Sequence, residues 1–384
     1  MIETSETVAL MARSGIREIF DLAHTIPDCI HLEAGEPNFP TPAHICEAAA
    51  AAAREGHTKY TPNAGIPELR EAIAHKVTTR NGVPTTADQV TVTPGGVAAA
   101  YSAISALTDP GDGVLIADPS WPNFRMMAEI QSLQPQYFPT YEADAFVPRA
   151  ENLERCITDS SKVLILNSPS NPTGAVIPGR DLSDLIDVAR EHNLWVISDE
   201  VYDAIGFGEP QVSAGTFNDD GRVVLLYSFS KSYAMTCWRC GYSVAEPGVA
   251  AMITKCQEPT TSCVNSPTQW AAIAALTGSQ DAVEEMRLAY QDRRDRSLEI
   301  LATAGIKTNR PGGAFYIWID ISASGLSGMD FARRLATERK VAIVPGTAFG
   351  PGSGDFVRIS LATAPDLLFE AVGRLGDAVT DWGA

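Results

Sequence analysis

Lysine is scarce in this 384-residue chain: seven stand against 22 arginines, and these 29 bases face 47 acids for a formal net charge of −18. A surface so short of positive charge repels phosphate backbones and anionic lipid heads, which excludes nucleic-acid and membrane-surface binding as the main function. No apolar run approaches the roughly 18–20 residues of a spanning helix, so an integral membrane protein is excluded too. The opening MIETSETVALMARSG carries acids early and lacks a basic-then-apolar pattern, so a cytoplasmic protein is expected. The seven cysteines are odd in number and scattered, unlike the dense, even set of a disulfide scaffold. Cys237-Trp-Arg-Cys240 has C-x-x-C spacing, but no second pair of cysteines or histidines lies at ligand distance and no H-E-x-x-H occurs. Packing cysteines are expected there, and no metal site.

What is present is an alternation. From about residue 45 to 285, short β-branched runs (91–93, 113–118, 162–167, 194–199, 223–228 and 241–245) alternate with longer helical stretches such as DLSDLIDVAREHN. The runs are apolar on both faces, as in strands covered by helices on each side. Strand, helix, strand in repetition predicts an α/β fold with a mostly parallel sheet flanked by helices. The alanine run 48–53, with Pro42 before it and Gly56 after it, reads as a bounded helix. The last hundred residues differ: the charged helix DAVEEMRLAYQDRRDRSLEILATAG leads to FYIWIDI, another helix, VAIVPG and VRISLA, a smaller α+β domain. The expected division is an N-terminal arm and part of the small domain over 1–44, a large domain over 45–285 and the small domain over 286–384.

Ligands of such sheets sit outside the carboxyl ends of the strands. Lys231 follows the run VVLLYS; desolvation there lowers an amine's pKa and frees it to form a Schiff base with an aldehyde. Arg239, with Ser228 and Ser230, offers a planar fork and two hydroxyls, a set suited to a phosphate. Gly95, Gly96 and Val97 turn from a strand into a helix, where backbone N–H groups and the helix dipole can meet a phosphate. That turn is neither G-x-G-x-x-G nor a P-loop, and helix-on-sheet packing explains it equally well.

Asp199 ends the run LWVISD with Tyr202 three residues on, and a buried aspartate needs a cationic partner such as a protonated pyridine nitrogen. Asn171 sits in the turn NSPSNPTG, where ordinary turn chemistry is the plain alternative. Trp121, in DPSWPN, offers an aromatic face for stacking or for core packing. Five successive strand ends thus carry one complementary set.

The segments LEAGEPNFPTP, KYTPNAGIPELREAI, NSPSNPTGA, SDEVY, SFSKSYAMTCWRCGY, PGGAFYIW and VRISLATA, in this order, make the chain resemble the class I/II aminotransferases. These are pyridoxal-phosphate enzymes with the fold of aspartate aminotransferase (fold type I). The resemblance implies pyridoxal 5′-phosphate as cofactor, Lys231 as its Schiff-base lysine and Asp199 on the pyridine nitrogen. It implies Tyr202 and Asn171 at the ring 3-oxygen, Trp121 on the ring, and Ser228, Ser230, Arg239 and the amides of Gly96 and Val97 on the phosphate. Tyr60 would reach the phosphate of a neighbouring subunit, which implies a homodimer. Arg358 would grip the substrate α-carboxylate, with Gly35 against the substrate. The implied partners are an L-amino acid and a 2-oxo acid.

Aspartate-specific relatives need a cation for the distal carboxylate. The stretch 255–270 contains no arginine, and position 97, a lysine in some aspartate-type relatives, is Val97. Arg125, Arg13 and Arg17 remain as substitutes. Neutral, aromatic or broad substrates are therefore expected, with an aspartate-type enzyme as the alternative. A carbon–sulfur β-lyase on the same fold is a further one, although NPTGAVIPGR lacks the aromatic and basic residues those relatives carry after this turn. A regulator that only binds the cofactor is disfavoured by the intact Lys231.

Overall fold

In the computed structural model, which describes residues 5–10, 15–208 and 210–383, seven strands form one sheet. They are β1 (Val90–Thr93), β2 (Gly113–Asp118), β3 (Gln134–Pro139), β4 (Ser161–Asn167), β5 (Trp195–Asp199), β6 (Val223–Ser228) and β7 (Gly241–Val244). Their order is β1-β7-β6-β5-β4-β2-β3. β7 is antiparallel to both neighbours, whereas β6, β5, β4, β2 and β3 pair in parallel. The six runs expected as strands all fall in this sheet. β3 is an addition: QPQYFP carries two prolines, which only an edge strand tolerates because one row of its N–H groups needs no ladder partner.

Side chains alternate across the sheet, and both sides are buried. Val163 and Ile165 of β4, Ile197 of β5 and Val224 and Leu226 of β6 pack with Ala99, Ile104 and Phe124 on one face. Leu164, Leu166, Val196, Val223 and Leu225 pack with Leu69, Ile73 and Leu185 on the other. This two-sided burial is why the strands read as continuous apolar runs. It also makes their final residues conspicuous: β2, β4, β5 and β6 end on Asp118, Asn167, Asp199 and Ser228.

A second, antiparallel sheet is built from β8 (Tyr316–Asp320), β9 (Val344–Pro345) and β10 (Phe356–Ser360), in the order β9-β10-β8. Ile317, Ile319, Val357 and Ile359 share a separate core with Phe331 and Leu335 of the helix Gly328–Arg339. The helix Asp281–Thr303, about 35 Å long at 1.5 Å per residue, buries Met286, Tyr290, Arg293, Ser297 and Leu301 along one stripe and packs on the helix Pro365–Gly383. The helix Gly15–Ala23 and the parallel bridge from Ile30–His31 to Val341–Ala342 join the N-terminal residues to this second core.

All seven cysteines are unpaired. Cys240 is fully buried in the core, as expected, but Cys237 is exposed, because the turn Thr236–Trp238 carries it to the surface. Among the described residues no cluster of His, Cys, Asp and Glu could hold a metal, and no helix is long and apolar enough to cross a membrane.

One buried polar cluster ties the end of β5 to its surroundings. Glu200, 1% exposed, accepts hydrogen bonds from Ser198 Oγ (3.1 Å), Ser213 Oγ (3.0 Å), the Ala214 N–H (2.9 Å) and Tyr227 Oη (2.8 Å). Burial raises the pKa of this carboxyl and the hydrogen bonds pull it back. Tyr227→Phe removes one bond to the carboxylate and should lower unfolding stability by about 1.5–3 kcal/mol in urea titrations. A loss below about 0.5 kcal/mol, the scatter of surface substitutions, would show that the cluster is not a structural anchor.

Candidate active site

The carboxyl ends of the parallel strands open into a cleft of about 380 Å³ between the two sheets. Lys231, Asp199, Tyr202, Asn171, Trp121, Ser228, Ser230, Arg239, Gly96, Val97, Gly35 and Arg358 all line it. Of the expected residues, Gly95 lies just behind this lining against Arg239, and Tyr60 stands 92% exposed, away from the cleft. Arg125 pairs with Glu129 (3.2 Å) and lines a neighbouring cleft. Arg17 pairs with Asp21 (3.1 Å) on an exposed helix face, and Arg13 lies outside the described residues.

Three charged groups converge in the cleft. Asp199 is 6% exposed and its side chain accepts one hydrogen bond, from the Val201 N–H at 3.3 Å. Burial pushes its pKa up to about 7, and the neighbouring Glu200 adds to the rise. A carboxyl raised in this way makes the cofactor-free fold less stable as the pH climbs from about 4 towards 7, because the unfolded chain gives up its proton first. A cation beside the carboxylate reverses that balance. Lys231 follows the end of β6 on the short helix Phe229–Ser232 and donates to the Gly35 carbonyl. Burial, and then the charge of Arg358, push its pKa down to about 8.

Arg358 on β10 is 2% exposed. It donates from Nη1 to Asn171 Oδ1 (2.9 Å) and from Nη2 to the Glu33 carbonyl (2.6 Å), while its buried Nε has no partner. Its guanidinium carbon lies 4.3 Å from the Tyr316 ring centroid and 5.0 Å from that of Phe349. Among the described residues it makes no ion pair. A buried guanidinium held by neutral oxygens, with an N–H to spare, suits a carboxylate from outside the chain.

On the opposite wall the backbone is shaped for an anion. The helix Gly96–Leu107 starts from Gly95 at φ +88°, and a Cβ at Gly95 would sit 2.4 Å from Arg239 Nη2. Arg239 takes the left-handed conformation (φ 51°), a strained geometry for a side-chain-bearing residue, and donates to the carbonyls of Thr236 (2.7 Å) and Pro94 (3.3 Å). Ser228 caps the Phe229–Ser232 turn, accepting from the Ser230 N–H at 3.2 Å. Free amide N–H groups at the helix start, two hydroxyls and a guanidinium thus surround one spot.

The donor set fits pyridoxal phosphate. The Gly95–Arg239–Ser228 cradle fits its phosphate, the unpaired Asp199 carboxylate fits a protonated ring nitrogen, and Lys231 is an amine for its aldehyde. The structure adds residues that the sequence reading passed over. Tyr316, inside the motif PGGAFYIW, hydrogen-bonds Tyr202 (Oη to Oη 2.9 Å), and its hydroxyl would lie 2.5 Å from a Cβ at Gly35. Glu36 accepts from Thr236 Oγ1 (2.5 Å) at the edge of the cleft. Ile16 and Phe20, one helical turn apart, border it from the N-terminal helix. The i, i+4 spacing of that pair was their only signal in the sequence.

The sequence matches the family model for aminotransferase class I and II over residues 27–375. It is 37% identical over 382 residues to an aspartate aminotransferase of Pyrococcus horikoshii, covering 98% of this chain and 97% of that one. It is 38% identical over 380 residues to aromatic-amino-acid aminotransferase 2 of Thermococcus litoralis, covering 97% of each. The structure of the Thermus thermophilus aspartate aminotransferase with maleate superposes with a TM-score of 0.94 at 37% identity, over 98% of this chain and 100% of that one. With its α/β fold, its strand-end cleft and a family match across nearly its whole length, the chain belongs to the class I and II aminotransferases, the pyridoxal-phosphate enzymes that move amino groups between amino acids and 2-oxo acids.

Proposed function

We propose that this aminotransferase acts on neutral and aromatic L-amino acids through a site centred on Lys231, Asp199 and Arg358. The observation that carries the reading is the convergence of these three groups in one cleft, with no countercharge among the described residues hydrogen-bonded to any of them.

When bound, pyridoxal phosphate supplies an aldehyde carbon and a conjugated ring that takes up the charge left at the substrate Cα. The chain does the rest. Asp199 would keep a proton on the ring nitrogen, an interaction that its low-polarity surroundings make more effective than in water. Lys231, with its pKa near 8, is partly neutral at physiological pH and carries the proton away from and back to the reacting carbons. Arg358 takes the α-carboxylate in a two-point grip and so sets the direction of the Cα–H bond. Tyr202 and Asn171 would hold the ring oxygen, Trp121 would cover the ring, and Gly95, Gly96, Val97, Ser228, Ser230 and Arg239 would hold the phosphate. The part of the chain over 45–285 carries these cofactor contacts, and 286–384, with part of the segment before residue 45, forms the smaller domain that brings Arg358.

The substrate preference follows from the wall facing the side chain. Val97, Ile16, Phe20 and Trp121 give the cleft an apolar lining, while Glu36 adds negative charge to it. Arg125 pairs with Glu129, Arg17 pairs with Asp21 and stacks over Phe20, and the segment 255–270 has no arginine to offer a partner. The Thermococcus relative named for aromatic amino acids is as similar as the one named for aspartate, which supports an aspartate-type enzyme as the second reading. Tyr60, 92% exposed, supports a homodimer in which it reaches the partner's phosphate site. Seven unpaired cysteines suit the reducing cytoplasm.

Borohydride reduction of the holoenzyme and peptide mapping should recover the pyridoxyl group on Lys231. Its recovery on Lys59, Lys76 or another lysine overturns the assignment. Steady-state kinetics on aspartate, glutamate, alanine, leucine, phenylalanine and tyrosine test the substrate class. A neutral or aromatic substrate should reach a kcat/KM within about tenfold of aspartate's or exceed it, since tenfold is about 1.4 kcal/mol of transition-state binding, less than a desolvated arginine–carboxylate pair supplies. A preference for aspartate of about a hundredfold or more, lost on replacing Arg13, Arg17 or Arg125, would establish the aspartate-type reading instead.

A further inference from the structure

Asp118 is the last residue of β2, at the same sheet edge as the cleft, yet it is not among the residues lining it. Its carboxylate is turned instead to a loop between β9 and β10. Oδ2 accepts the Gly352 N–H at 2.8 Å, and Oδ1 is 3.3 Å from the Ser353 hydroxyl that donates to it. Two residues further on, the Ser120 N–H donates to the Phe349 carbonyl at 2.8 Å. The fit is close: a Cβ added at Gly350 would lie 1.9 Å from Asp118 Oδ1, so only glycine lets the loop approach.

Among the described residues no cation pairs with Asp118. Burial raises its pKa, against the two hydrogen bonds from the loop. A partly desolvated carboxylate with no countercharge is a costly way to fasten a loop, so the position of that loop matters. What the loop positions is Phe349. Its ring is 2% exposed, meets Trp318 edge-on (5.5 Å, 88°) and lies 5.0 Å from the guanidinium carbon of Arg358. Arg358 has only two hydrogen bonds to fix its plane, so the rings of Tyr316 and Phe349 complete its seat.

We propose that Asp118 is a positioning residue for substrate binding: by clamping the Phe349–Ser353 loop to the end of β2 it holds Phe349 against Arg358 and so sets the carboxylate grip. The clamp joins the two sheets, and both contribute to that grip: Asn171 comes from the β4 side and Arg358 from β10. The proposal rests on the reading of Arg358 as the α-carboxylate ligand.

The test is steady-state kinetics on holoenzyme carrying D118A, D118N, G350A or R358K, with the absorbance of bound cofactor and the thermal midpoint followed in parallel. D118A should raise KM about tenfold for the amino acid and the 2-oxo acid alike, because both present the same carboxylate, while kcat stays within about threefold and the cofactor absorbance is unchanged. D118N keeps an oxygen for the Gly352 N–H and should restore KM to within about threefold of wild type. G350A, which pushes the loop away from the other side, should reproduce the D118A effect even if D118A itself folds poorly. If R358K raises KM while D118A and G350A leave it within about twofold of wild type, the clamp is overturned and the reading of Arg358 stands. If R358K leaves KM unchanged, that reading falls and the clamp with it. A joint fall of kcat, cofactor absorbance and thermal midpoint in D118A, not rescued by D118N, assigns Asp118 a purely structural role and also overturns the proposal.

Discussion

A buried carboxylate that no cation hydrogen-bonds among the described residues, with only the nearby charge of Lys231 to offset its burial, is the constraint on which the rest of the site depends. Asp199 ends a central strand, 6% exposed; burial carries its pKa up to about 7 although the Val201 N–H and the charge of Lys231 pull it down. The chain tolerates this because β5 is held on both sides by parallel neighbours and because Glu200, the next residue, is fixed by four hydrogen bonds. The strand end cannot twist away to expose the carboxylate. Stability is given up at this position, and a protonated pyridine ring placed beside the carboxylate would recover it.

The same logic extends to the other two charges. Lys231 is short of positive charge to share: burial and the proximity of Arg358 already press its pKa down to about 8. Arg358 is buried among neutral oxygens and aromatic faces and keeps an unpartnered N–H. Pairing these groups with one another would satisfy them and close the site. Instead each is fastened through uncharged contacts, which leaves its charge for cofactor or substrate. The price is a scaffold rigid enough to keep opposite charges from collapsing together, and the seven-stranded sheet with its Glu200 cluster provides that rigidity.

Much of this was legible in the sequence, for a physical reason. Parallel strands buried on both faces admit polar residues only at their ends, so Asp199, Ser228 and the turn holding Asn171 stand out from apolar runs. The glycines at 95 and 96 and the lysine just past β6 are visible for the same reason. Less visible were residues whose role depends on the second sheet. Tyr316 and Phe349 sit in apolar stretches that read as core, and only their packing on Arg358 distinguishes them. β3 went unseen because an edge strand relaxes the rules on proline. Cys237 reads as a packing residue in the sequence because spacing cannot tell which side of a turn faces solvent. Asp118 shows the limit most clearly: in sequence it is one more polar strand end, and its partners lie more than two hundred residues away.

The most direct measurement of the central claim is the protonation state of the cofactor ring. Holoenzyme reconstituted with pyridoxal phosphate carrying ¹⁵N in the ring can be followed by NMR from about pH 6 to about pH 9, a range well above the ring-partner carboxylate's unperturbed value. In the wild-type protein the nitrogen resonance should stay at the protonated position throughout. In Asp199→Asn, with fold and cofactor retained, it should move to the unprotonated position. A nitrogen already unprotonated in the wild-type enzyme at neutral pH, or one still protonated in Asp199→Asn, would contradict the account.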